Sequence, residues 1–154
     1  MDFESQLRLE RDAVVVCDTL EAAGGQLVHR AADPDHPDVA IDPPDQYWAV
    51  IAPAEPGTSP LVARIQWTVY PDRPPSVLFA TEVGGPTNVM SAWPAATGYR
   101  APADICKPFT AEGQGLHSEW ATGTHAWSTE GNPFLYVIEN LQDDINRVRG
   151  ARAA

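Results

Sequence analysis

Only two cysteines, Cys17 and Cys106, occur in 154 residues. They lie far apart with no short-range partner, which excludes a disulfide scaffold and points to a reducing compartment. Basic residues are also scarce. Ten Lys+Arg against 21 Asp+Glu leave a net charge of −11, which repels phosphate backbones and anionic lipid surfaces, so neither nucleic acid nor a membrane surface is an expected partner. No apolar run approaches the roughly eighteen residues of a membrane span. The first twenty residues carry seven charges, so neither a signal peptide nor a span is expected, and the expected location is cytoplasmic.

What is present argues for folding. Fifteen prolines are offset by 44% hydrophobic residues and five tryptophans, the profile of a loop-rich globular chain rather than a disordered one. The length suits one domain, expected over residues 1–150, with 151–154 as a disordered, fraying tail. Residues 2 to 23 read as an amphipathic helix with Phe3, Leu7, Val14, Cys17 and Leu20 as its apolar stripe, stopped by Gly24-Gly25. Gln26 to Arg30 is a possible short strand, and the Pro- and Asp-rich stretch from Ala32 to Asp45 is a loop. Tyr47–Ala52, Leu61–Tyr70 and Ser76–Thr81 read as strands of an antiparallel meander, separated by turns rich in Pro and Gly. Residues 82 to 131 have no sustained period, and so long an irregular stretch in a compact domain is usually functional. Asn132 is a good N-cap and Pro133 suits the first helical position of a closing helix with Phe134, Leu135, Val137, Ile138, Leu141 and Ile145 as a broad apolar face. Helix, meander, irregular region, helix is an α+β arrangement, a sheet with one face covered by helices.

The stretch Trp48 to Thr81 resembles the ubiquitin-conjugating enzymes, thioester carriers of the ubiquitin cascade, and their fold-mates the RWD domains. Ala52-Pro53, the turn Pro56-Gly57-Thr58-Ser59-Pro60, Tyr70-Pro71-Asp72-Arg73-Pro74-Pro75 and the strand Val77 to Thr81 stand in that family's order. Ile105-Cys106, then Trp127-Ser128 and the helix from Asn132, continue the match. The resemblance implies a UBC-like fold whose closing helix is the central crossover helix. The type implied is compact, similar to bacterial conjugating-enzyme-like proteins without the family's C-terminal helices. It also implies an activity: Cys106 would carry a ubiquitin-like modifier, or another protein C-terminus, as a thioester and pass it to an amine. The partners would then be the modifier, its activating enzyme and a protein target, with no cofactor. The alternative is a catalytically inactive RWD- or UBC-like module that holds a protein partner. The sequence departs from the family at several places, among them about a dozen extra residues, including Gly113, Gly115, His117, Ser118 and Trp120, before Trp127. Gly85-Pro86-Thr87-Asn88 stands in place of His-Pro-Asn and well before Cys106, Lys107-Pro108 follow the cysteine, and the first helix has six acids but only Arg8 and Arg11 as bases.

The residues themselves set what chemistry is open. Cys106 lies in a polar, Pro- and Gly-rich segment where a thiolate is reachable, whereas Cys17 falls on a helical apolar stripe and reads as a small buried hydrophobe. Lys107 is placed to favour the thiolate, His117 to deprotonate an attacking amine or donate to an oxyanion, and Asn88 to serve as a displaced oxyanion donor. Ser118 lies beside His117, while His29 and His36 are expected at the surface. His117, Glu119 and His125 lack a further ligand for a zinc site, so no metal is expected. Gly113-Gln114-Gly115 follows no strand and is read as opening no helix, so it is no phosphate cradle. Tyr70 is expected to pack over its proline turn, with its hydroxyl on a backbone partner.

Overall fold

The computed structural model describes residues 1–29, 35, 43 and 45–154. Most of the loop expected over 32–45, with His36 in it, lies outside the described residues, as does Arg30.

Helix α1 spans Phe3–Ala22, capped by the Asp2 carboxylate, which accepts from the Ser5 N–H at 2.8 Å. It stops where Gly24 takes φ +88°, a conformation that costs a residue with a side chain but not glycine. Strand β1, Gln26–Val28, follows at once and pairs with β2, Gln46–Ile51. Gly25 makes that close turn possible, since a Cβ there would lie 2.0 Å from the Val50 carbonyl oxygen. β3, Leu61–Gln66, and β4, Ser76–Ala80, complete a four-stranded antiparallel sheet in the order β1-β2-β3-β4. The protein is α+β, as expected.

Alternation sorts the strands into two faces. Tyr47, Ala49 and Ile51 pair in register with Ile65, Ala63 and Leu61, and these residues, with Val77 and Phe79, form the buried inner face. Helix α3, Pro133–Arg147, lays Phe134, Val137, Ile138, Leu141 and Ile145 on that face, and Asn132 caps it by accepting from the Leu135 N–H at 2.9 Å. The outer face carries a second buried cluster of Trp48, Val62 and Ala80.

The buried stripe of α1 differs from the expected one. Leu9, Asp12, Ala13, Val16 and Leu20 face the core, while Phe3, Leu7 and Val14 are 75%, 49% and 61% exposed. Both sets recur at helical spacing, but the buried one contains a carboxylate, which hid it from a reading by hydrophobicity. A buried carboxylate needs partners. Asp12 accepts from the Tyr70 hydroxyl and has Arg8 and Arg11 at 3.7 and 3.8 Å. Tyr70 therefore bonds a side chain of α1 rather than the expected backbone group, and ties the proline turn after β3 to the first helix. Two further bonds knit this corner: the Trp127 indole N–H donates to the Pro71 carbonyl at 2.7 Å, and the Asn132 amide to the Asp12 carbonyl at 3.1 Å.

The irregular stretch 82–131 contains short elements: a hairpin of β5, Tyr99–Arg100, and β6, Asp104–Ile105, the helix α2, Ala111–Leu116, and three single turns of 3₁₀-helix. Gly113-Gln114-Gly115 thus lies inside a helix, against expectation. Its six residues include two glycines, so propensity gives no signal for it, and packing holds it instead. The segment 151–154 also departs from the disordered tail expected there. Ala95 N–H donates to the Ala151 carbonyl at 2.8 Å, Ala153 N–H to the Trp93 carbonyl at 2.9 Å, and the Arg152 guanidinium to the Pro60 carbonyl at 2.8 Å. Among the described residues no helix is long and apolar enough to cross a membrane.

Candidate functional site

Cys106 directly follows β6, where the chain leaves the β5–β6 hairpin for α2. The residues around it anchor its backbone while leaving its side chain half-exposed and its thiol free. Ile105, fully buried, and Tyr99, its partner across the hairpin, plug this segment into the core. The Cys106 N–H donates to the Gly98 carbonyl at 2.8 Å. Gly98 sits at φ +85°, which favours glycine, and a Cβ there would crowd the Cys106 carbonyl oxygen at 3.0 Å.

The next peptide is clamped from the other side. Thr110, fully buried, N-caps α2 by accepting from the Gly113 N–H at 3.0 Å. Its hydroxyl faces the carbonyls of Ile105 and Lys107, and its own N–H donates to the Lys107 carbonyl at 3.1 Å. Gly113 packs directly on this peptide: a Cβ would lie 2.0 Å from the Lys107 carbonyl oxygen and 2.6 Å from its nitrogen. Residues 105–107 are therefore a fixed platform.

Two cations stand near the thiol. Lys107 is its sequence neighbour. Arg100 is gripped by Asp104 through two bonds of 2.6 Å. The Arg100 pKa is pushed up, first by the Asp104 hydrogen bond, then by the Asp104 charge and the neighbouring Cys106. Beyond Lys107 a cavity of about 260 Å³ opens against α3, lined among others by Lys107, His125, Tyr136, Asn140 and Asp143. At its edge Asp144 accepts from the Tyr99 hydroxyl at 2.8 Å and meets Arg147 at 3.6 Å. Burial, together with Asp144, pushes the Tyr99 pKa up.

The other site residues expected from the sequence are placed apart from the thiol's own contacts. His117 ends α2, hydrogen-bonds Glu119 through Nδ1 at 2.8 Å, and stacks on Trp120 with ring centres 4.0 Å apart. That bond with His117 holds the Glu119 pKa below the usual carboxylate range. Asn88 is exposed in the turn before Met90, and its neighbour Thr87 accepts the Trp93 indole N–H at 2.9 Å. Among the described residues, no hydrogen bond or ion pair links Cys106 to Asn88 or His117, and no group of three metal-ligating side chains converges. Cys17, half-buried on α1, points its sulfur at Glu21 at 3.4 Å. Burial and then that acid push its pKa up, which makes it the less reactive thiol.

Reasoning from sequence missed Arg100, Gly98, Thr110 and Gly113. Arg100 and Asp104 were open to detection as opposite charges at close spacing, and Thr110 as an N-cap three residues before Gly113. The role of Gly98 depends on tertiary contact and left no local signal. Compared with known proteins, the chain matches no family model and no curated sequence.

Proposed function

We propose that this protein is a compact ubiquitin-conjugating-like enzyme that carries a ubiquitin-like modifier, or another protein C-terminus, as a thioester on Cys106 and transfers it to an amine. The observation that carries the reading is a free, half-exposed thiol on a backbone held by bonds from the Cys106 N–H to Gly98 and from Thr110 to Ile105 and Lys107. That is what a nucleophile needs if it is to meet two large partners in turn without reorganising. The order of elements supports it too, as does the joining of Trp127 to the Tyr70–Pro71 turn, because both belong to the motifs that resemble the family.

In this reading the Cys106 thiolate attacks the thioester presented by an activating enzyme, and the acyl carbon passes from the donor sulfur to the Cys106 sulfur. A target amine then attacks that carbon, and the Cys106 thiolate leaves. Arg100, held by Asp104, is the cation beside the sulfur.

A second reading, a binding module of the same fold without activity, is favoured by the lack of His-Pro-Asn before Cys106 and by the acidic first helix. Incubation with a cognate activating enzyme, its modifier and ATP separates the two. The enzyme reading expects a band shift on a non-reducing gel that thiol reductant reverses and Cys106→Ala abolishes. A shift that persists in Cys106→Ala would sink it.

A further inference from the structure

We propose that Lys107 is itself an acceptor: the acyl group carried on Cys106 passes within the same chain to the Lys107 ε-amine and remains there as an amide. This rests on the proposed function and extends it, by naming an amine of this chain as a destination.

The sequence supplies the first argument. Of ten Lys+Arg residues, nine are arginines and one is lysine. An arginine guanidinium keeps its proton at any accessible pH and is no nucleophile, whereas a lysine ammonium gives up its proton readily when its surroundings ask for it. The chain thus presents a single side-chain amine, on the residue that follows the half-exposed thiol of Cys106.

Geometry supplies the second. The Cys106–Lys107 peptide is held by Gly98, Thr110 and Gly113, while both side chains emerge half-exposed. The Lys107 stem runs over Gly98, where its Cε and Cδ lie 3.0 and 3.5 Å from the place a Cβ would occupy. The missing side chain is what opens that path. Among the described residues Lys107 forms no ion pair, although Asp143 and Asp144 line the same cavity and Asp144 is engaged by Tyr99 and Arg147. Consecutive Cα atoms are about 3.8 Å apart, so a four-carbon stem can bring its nitrogen back to an acyl carbon on the neighbouring sulfur. An amine tethered to a fixed peptide meets that carbon at an effective concentration no free amine reaches.

The step balances without a redox partner. The Lys107 ammonium loses a proton to water, and its nitrogen lone pair attacks the thioester carbonyl carbon. The N–C bond forms and the C–S bond breaks, with the electron pair leaving on the Cys106 thiolate. The second proton on nitrogen goes to solvent. The co-reactant is the acyl thioester. Cys106 is free again afterwards, and the side-chain amine is consumed, so each chain modifies itself at this position once.

The test uses the full chain and a synthetic peptide whose C-terminal glycine is a thioester of a small thiol, with intact mass read before and after excess thiol reductant, which displaces a thioester by exchange and leaves an amide intact. The wild type is expected to gain one peptide mass that survives reductant and maps to Lys107. Lys107→Arg, which keeps the charge, is expected to form only an adduct that reductant removes, and Cys106→Ala neither kind. A wild-type adduct wholly removed by reductant would overturn the proposal while leaving thioester carriage by Cys106 standing. A stable adduct that maps to the N-terminal amine, or that persists in Lys107→Arg or Cys106→Ala, would overturn the relay. No adduct of either kind on the wild type would overturn both the relay and the proposed function.

Discussion

Replacing Gly113 by alanine sets two physical effects against each other. Within a helix the change should stabilise by about 1 kcal/mol, because glycine is the poorer helix former. In α2, however, the new methyl would sit 2.0 Å from the Lys107 carbonyl oxygen, 2.7 Å from its carbon and 2.6 Å from its nitrogen. All three are backbone atoms, so no side chain can swing away, and either α2 or the Lys107 peptide must shift by more than about 1 Å to reach ordinary contact. Overpacking of this kind costs about 1–3 kcal/mol. The same shift stretches the bonds from Thr110 to the Lys107 carbonyl, worth about 0.5–1.5 kcal/mol each. Steric cost wins. We expect Gly113→Ala to destabilise by about 1–3 kcal/mol, a fall in Tm of roughly 2–4 °C for each kcal/mol in a domain of this size. Acyl loading of Cys106 should fall with it. Gly115→Ala, in the same helix with nothing within 4 Å of its Cβ position, is the control and should gain up to about 1 kcal/mol. Urea or thermal unfolding followed by tryptophan fluorescence reads both. If the two variants move stability in the same direction, the packing of α2 on Lys107 is wrong.

Three further outcomes follow from the core and the thiol. Tyr70→Phe leaves the buried Asp12 carboxylate without its hydroxyl donor and should cost about 1–3 kcal/mol, while Tyr70→Ala also empties a fully buried site and should cost about 3–5 kcal/mol; equal losses in urea titrations would deny the Tyr70–Asp12 bond its role. Cys106→Ser should stay within about 1 kcal/mol of wild type, and unfolding as severe as that of Tyr70→Ala would make Cys106 a core residue. Burial, helped by Glu10 and Asp45, holds the Tyr47 pKa up to about 12 against its ordinary 10. The unfolded chain therefore ionises first, so the contribution is complete below pH 10 and is lost as pH rises toward 12, about 2–3 kcal/mol in all. Tyr70 and Tyr99 are pushed the same way, and urea midpoints that stay flat over that window would contradict the burial of all three.

The elements legible in the sequence are those whose signal is local. Asn132 and Pro133 mark the start of α3 because a cap acts within one turn, and the apolar run Tyr47 to Ala52, ended by Pro53, marks a strand. The buried face of α1 was not legible. Two stripes of helical period run along that helix, and the choice between them rests on tertiary contacts, among them the bond that Tyr70, distant in sequence, donates to Asp12. The same holds at the site. The sequence marks Cys106 as reachable, but the clamp beneath it joins Gly98, Thr110 and Gly113 through backbone contacts that no residue pattern announces. Residues 151–153 read as a loose end because they are small and aperiodic, yet backbone bonds to 93–95 need no particular side chain.

The central claim is that Cys106, and no other residue, takes up the acyl group first. It is tested most directly by loading the protein with its activating enzyme, modifier and ATP for a few seconds, quenching in acid and mapping the adduct by mass spectrometry. The account predicts one modifier per chain, on Cys106, labile to hydroxylamine and absent from Cys17, whose thiol is held less acidic by burial and Glu21. A chain that stays unmodified while the activating enzyme is charged, or an adduct found on Cys17, would contradict it.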